Sequence, residues 1–108
     1  MSVITELKDL AEKMNANPVH IENEKDRVFQ VNLDDAGIHQ IILKDGRIEM
    51  AEGTPYEAEV TLILSDKNFS KLLRDELNTT MAFMTGALKV DGKIGLALKL
   101  QEIVKRYQ

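Results

Sequence analysis

A chain of 108 residues is the size of one ordinary domain, and 44% apolar with 30% charged residues is the composition of a folded soluble protein rather than a disordered one. Lys plus Arg total 14 against 18 Asp plus Glu, a net charge of −4, and no segment gathers a basic stripe, so nucleic acid is excluded as the main partner. No cysteine is present, which removes disulfides, thiol catalysis and thiolate metal sites. No apolar run approaches the length of a membrane span and nothing resembles a signal peptide, so a cytoplasmic protein is expected.

In chain order, Met1 to Asn15 reads as an amphipathic helix. Val3, Leu7, Leu10, Ala11 and Met14 share one stripe, Ser2 is the N-cap, and the Asn15-Ala16-Asn17-Pro18 stretch ends the helix. Three strand candidates follow: DRVFQVNL, GIHQIILK and RIEMAEG. Asp45-Gly46 between Lys44 and Arg47 is a two-residue hairpin signal, which pairs Lys44 with Arg47, Leu43 with Ile48 and Ile41 with Met50. One face of that hairpin then carries His39, Ile41, Leu43, Ile48 and Met50. The other carries Gln40, Lys44, Arg47 and Glu49, with Ile42 out of pattern. For Phe29, Val31 and Leu33 to join the first face, the connection at Asp34 to Gly37 must leave an odd number of residues unpaired, because a one-residue slip turns every side chain over. A loop of about three or five residues is expected, with Gly37 supplying unusual backbone angles.

A fourth strand runs EAEVTLILS, with Ala58, Val60, Leu62 and Leu64 on one side. Ser65 caps a helix whose first turn holds Asp66 and whose apolar stripe is Phe69, Leu72 and Leu73. Asn78 caps a shorter helix that ends at Gly86, the strand ALKV follows, and a last helix runs beyond Gly92 and Gly95. On that helix Leu96, Leu100, Ile103 and Tyr107 form one stripe, flanked by Ala97 and Val104. Ile94 and Leu98 fall on the opposite side, where a helix with a single partner shows polar residues. The order of elements gives a single α+β domain over residues 1–108, with helices on one face of the sheet.

Residues suited to catalysis are few. His20 follows Pro18-Val19 in a loop and reads as solvated, and His39 reads as a hydrogen-bonded core histidine. No metal-ligand spacing is visible and no serine sits in a nucleophile elbow. Gly92 and Gly95 lack the remainder of a phosphate loop. The sequence therefore reads as neither an enzyme nor a cofactor protein. What it has in surplus is apolar side chains: Met81, Phe83 and Met84, then Leu88, then the two-sided helix.

The stretch MAFMTGALKVDGKIGLALKLQ, Met81 to Gln101, resembles the C-terminal hallmark of the sterol carrier protein 2 (SCP-2) family. The likeness continues upstream through AEVTLILSDKNFSKLLRDELNTTMAFMTG and, more weakly, to RVFQVNL and IILKDGRI. The resemblance implies a five-stranded mixed, mainly antiparallel sheet with helices covering one face, and between them an apolar tunnel for a fatty acid, a fatty acyl-CoA or a phospholipid. It implies tunnel walls of Phe69, Leu72 and Leu73, a lining of Met81, Phe83, Met84 and Leu88, and closure by Leu96, Leu100, Ile103 and Val104. Ile94 and Leu98 would then face a lipid or a neighbouring helix, or act as the patch of a homodimer if the chain is not a monomer. Gly92 and Gly95 would let the last helix approach the sheet closely. Transient membrane contact is compatible with such a carrier, and Lys89, Lys93 and Lys99 are either solvated or placed to attract a head group. Because the chain ends Arg106-Tyr107-Gln108 without a peroxisomal tripeptide, a stand-alone bacterial or archaeal member is expected. The other readings are a structural or oligomerisation module, and an accessory domain to a lipid-metabolising enzyme.

Overall fold

The computed structural model describes residues 2–108, so Met1, read as part of the first helix, lies outside the described residues. Helix α1 (Val3–Ala16) starts at Ser2, whose Oγ accepts from the Thr5 amide at 3.3 Å, and buries Val3, Leu7, Ala11 and Met14. A 3₁₀ turn at Pro18–His20, which the sequence reading treated as loop, leads towards β1 (Arg27–Leu33). Strands β2 (Gly37–Lys44), β3 (Arg47–Glu52), β4 (Val60–Leu64) and β5 (Lys89–Gly92) complete a five-stranded sheet in the order β3-β2-β1-β4-β5. All neighbours are antiparallel except β1 and β4, which run parallel, so the sheet is mixed.

The register follows the turn chemistry. Lys44 pairs with Arg47, Leu43 with Ile48 and Ile41 with Met50, and the turn residues Asp45 and Gly46 both have positive φ, at 51° and 72°. Leu33 pairs with Gly37, which leaves Asp34, Asp35 and Ala36 unpaired: a three-residue loop with Gly37 at φ 83°. That odd count puts Phe29, Val31 and Leu33 on the same face as Ile41 and Leu43, and all five are buried.

Helices α2 (Asp66–Leu73), α3 (Thr79–Thr85) and α4 (Ile94–Lys105) complete the chain. Ser65 Oγ accepts from the Asn68 amide at 3.0 Å and Asn78 Oδ1 from the Met81 amide at 2.9 Å, so both expected caps form. Strand β4 is shorter than its apolar pattern and β5 begins two residues later than expected. Gly92 has φ 109°, and a Cβ there would lie 2.9 Å from the Glu59 carbonyl oxygen, so this glycine is what lets β5 close against β4. Gly95 is different: it lies in the first turn of α4 with nothing within 4 Å of a Cβ, so the expected close approach does not depend on it.

The opposite face of the sheet is partly covered as well. Gln40, on the polar side of the hairpin as expected, is nonetheless fully buried. Its Nε2 donates to the Tyr56 carbonyl at 2.8 Å and to Gln30 Oε1 at 3.0 Å, and its Oε1 accepts from the Tyr56 amide at 3.2 Å. This amide holds the β3–β4 connection against the back of the sheet.

Candidate functional site

The helix-covered face of the sheet is apolar at its centre, with His39 and Glu52 towards one end. Between it and the helices lies a slot lined by Leu7, Leu10, Ala11 and Met14 of α1, Phe29, Ile41, Leu43 and Ile48 of the sheet, Leu73 of α2, and Leu100, Ile103 and Val104 of α4. Every lining residue is apolar. The void is about 20 Å³, room for about one water molecule and far short of an acyl chain. The slot is closed rather than an open tunnel.

Polar contacts tie α1 over this slot at its edges. The Asn15 side-chain amide pairs with the Ile48 peptide, Nδ2 donating to the carbonyl at 2.9 Å and Oδ1 accepting the amide at 2.8 Å. Ser70 Oγ donates to Glu6 Oε1 at 2.8 Å, linking α1 to α2. At the far end Tyr107 Oη donates to the Asn17 carbonyl at 2.7 Å and accepts the His20 amide at 3.2 Å, which holds the end of α4 against the turn after α1. His20 is half-buried, its ring edge-on to Tyr107 at 5.3 Å, so it is not the solvated residue the sequence suggested.

The residues named from the resemblance divide three ways. Leu73, Leu100, Ile103 and Val104 line the slot. Phe69, Leu72 and Leu88 are buried in the core beside it, and Leu96 is half-buried against that core. Met81, Phe83 and Met84 are instead exposed, at 56%, 43% and 74%, because α3 buries only Thr79 and Ala82 and turns its other side chains outward. The slot residues absent from that set come from α1 and the sheet, and the apolar stripe of α1 was the signal for them. On α4, Ile94 packs partly against the core while Leu98 stays 39% exposed. Gln101, one turn on from Leu98, donates to the Leu77 carbonyl at 3.0 Å, so this side of α4 faces the α2–α3 connection.

The ionisable groups lie outside the slot. His39 is buried with Nε2 donating to the Ala36 carbonyl at 2.8 Å, the core histidine expected. Lys99 is paired with Glu24 at 2.9 Å, while Lys89 and Lys93 are exposed. Asp34, Asp35 and Asp66 converge, a carboxylate cluster that their separation in sequence concealed. Asp34 Oδ1 accepts the Asp66 amide at 2.8 Å and the Asp35 amide at 3.0 Å, and Asp66 Oδ1 accepts the Asp35 and Ala36 amides at 3.2 Å. These bonds, led by that from the Asp66 amide, hold the Asp34 carboxyl below its ordinary range. The cluster docks the β1–β2 loop on the start of α2.

A roomier cleft of about 420 Å³ lies on the other face of the sheet, bordered by Arg27, Lys44, Arg47, Glu49, Glu59 and Tyr56. Its size suits a ligand, yet its rim mixes both charge signs. The small slot is lined by apolar residues alone, and the large cleft is not.

The sequence profile of the SCP-2 sterol transfer family matches residues 4–105. Hydroxysteroid dehydrogenase-like protein 2 of Xenopus tropicalis is 35% identical over 77 residues, which are 70% of this chain and 18% of that protein. The Rattus norvegicus protein of the same name is 34% identical over 77 residues, 70% of this chain and 15% of that one. The chain thus spans under a fifth of these relatives' length. In fold it is similar to sterol carrier protein domain 2 of Helicoverpa armigera, with a TM-score of 0.70 at 21% identity over 97% of this chain and 87% of that one. It is also similar to palmitated SCP2L2 of Aedes aegypti, with a TM-score of 0.67 at 23% identity over 96% and 95% of the two chains. With its α+β fold and a family profile that matches nearly the whole chain, the chain belongs to the SCP-2 sterol transfer family.

Proposed function

We infer that the protein is a non-enzymatic lipid carrier, and that the slot beneath α1 opens to hold the acyl part of a fatty acid, a fatty acyl-CoA or a phospholipid. The wholly apolar lining carries this reading, and the likeness in fold to palmitated SCP2L2 of Aedes aegypti agrees with it. Opening releases the two Asn15–Ile48 hydrogen bonds and the Ser70–Glu6 bond, at roughly 1 kcal/mol each. A chain of about ten methylenes gains about 8 kcal/mol on leaving water, one of about fifteen gains about 12 kcal/mol, and association itself costs at least about 4 kcal/mol. That balance favours long chains. A second role, presenting lipid to a catalytic partner, is favoured by the relatives named as dehydrogenase-like, in which the similar stretch is under a fifth of the length.

Native mass spectra of the purified protein before and after organic extraction test the carrier reading. The expected result is a bound mass matching a fatty acid or phospholipid that extraction removes. No adduct, together with no change in melting temperature on adding oleate or an acyl-CoA, would mean that the slot is ordinary core.

A further inference from the structure

We propose that an acyl chain enters the slot between Leu10 of α1 and Leu73 at the end of α2, and that its head group stays outside. A depression of about 250 Å³ lies on the surface where α1, the end of α2 and the end of α4 meet. Leu10 and Leu73 line this depression and also line the slot, so two leucine side chains separate outside from inside. Leu10 is the one member of the apolar stripe of α1 that is left half-buried, while Val3, Leu7, Ala11 and Met14 are buried. The bonds that cross the junction are made by side chains. Ser70 Oγ donates to Glu6 at 2.8 Å, and Gln108 Nε2 donates to the Leu73 carbonyl at 2.9 Å, so both can pass to water without breaking a helix. The other surroundings of the slot offer no such passage. The groove on the far flank of α1, beside Ile4, Lys8, Met50 and Glu52, shares no residue with the slot. The cleft on the back of the sheet shares Leu43 alone, and the strands themselves stand between.

Charge at the mouth says what it selects. The segments that meet there, residues 6–13, 71–76 and 102–108, carry Lys8, Lys13, Lys71, Arg74, Lys105 and Arg106 against Glu6, Asp9, Glu12, Asp75, Glu76 and Glu102. The two signs are equal in number, and several of these groups already face one another. Arg74 Nε lies 3.7 Å from Glu76 and 4.0 Å from Glu6, and Arg106 is paired with Glu102 at 2.7 Å. No surplus of cations waits for a carboxylate or a phosphate, and the slot behind the leucines has no polar side chain to receive one. Selection therefore falls on the long acyl or alkyl chain, so that a fatty acid and the uncharged alcohol of the same length are held alike. The inference rests on the carrier reading, since a mouth has meaning only if the slot opens.

The test is stopped-flow uptake of cis-parinaric acid by the full chain. The protein has no cysteine, so Lys13→Cys and Lys8→Cys each give a single site for biotin-maleimide, an uncharged and bulky label. Lys13 borders the depression and Lys8 the groove on the far flank, and both are exposed, so neither label disturbs the core. The label at position 13 should slow uptake by at least about fivefold, and the label at position 8 by less than about twofold. Leu10→Ala should speed uptake and release together by at least about fivefold, whereas Leu100→Ala, which lines the slot but not the depression, should change release alone. Palmitate and hexadecanol should displace the probe with affinities within about threefold of each other. A protein that takes up the probe equally fast with either label overturns the mouth and leaves the carrier reading standing. Hexadecanol bound more than about tenfold more weakly than palmitate would show that the head group is recognised, and would overturn the selection by chain alone. Wild type that takes up no probe sinks the carrier reading and the mouth with it.

Discussion

At the scale of single residues, polar side chains fix the joints of this fold and were the least legible part of it. The alternation of the hairpin put Gln40 on the polar face correctly, yet no local pattern announces that this amide is fully buried and pairs with the Tyr56 peptide, sixteen positions away. Asp34 and Asp66 are likewise distant in sequence and meet only because β1 and β4 run side by side. Their contact has a pH signature. Because the folded Asp34 carboxyl sits below its ordinary value, its contribution to stability is present in full above about pH 4 and is lost as pH falls through the lowered folded value. Replacing Asp34 by Asn should therefore lower the melting temperature near neutrality, and the gap between variant and wild type should close as pH falls below the lowered folded value. A gap that is constant across that range would show that the loop is held by the shape of the side chain rather than by its charge.

Elements were more readable than residues, since periodicity and capping are local. Ser2, Ser65 and Asn78 cap the helices expected of them, and the Asp45-Gly46 turn set the register of its hairpin. The outward face of α3 escaped the reading because Met and Phe on a short helix look like core until the helix is placed. The two glycines of the last connection escaped it for a related reason, since spacing alone does not say which one is crowded. Opposite effects are expected. Gly92→Ala forces a side chain into φ 109° and against the Glu59 backbone, and should cost about 2 kcal/mol or more. Gly95→Ala, in ordinary helical backbone with open space, should stabilise by about 1 kcal/mol. Urea unfolding of the two variants decides between this assignment and one in which both glycines are needed for close approach.

For the molecule as a whole, family resemblance and apolar count predicted a cavity, while the structure closes nearly all of it. Leu73, Leu100, Ile103 and Val104 were placed at the ligand from sequence and do line the slot. The contribution of α1 and the sheet became apparent only once α1 was seen lying over the hairpin. Closing the slot spares the fold a large cost, because open void costs on the order of 24 cal/mol per Å³ and a folded domain has only about 5–15 kcal/mol to lose. Leu100, 4% exposed and on the slot wall, separates a carrier from a plain core. Truncation to Ala should cost at least about 2 kcal/mol without ligand, a fall in melting temperature of at least about 8 °C for a domain of this size. If an acyl chain occupies the slot, it fills the space that the side chain vacated, so excess oleate should raise the melting temperature of Leu100→Ala by more than it raises that of wild type. If the slot never opens, both proteins should respond to oleate alike and the variant should stay behind by its full deficit.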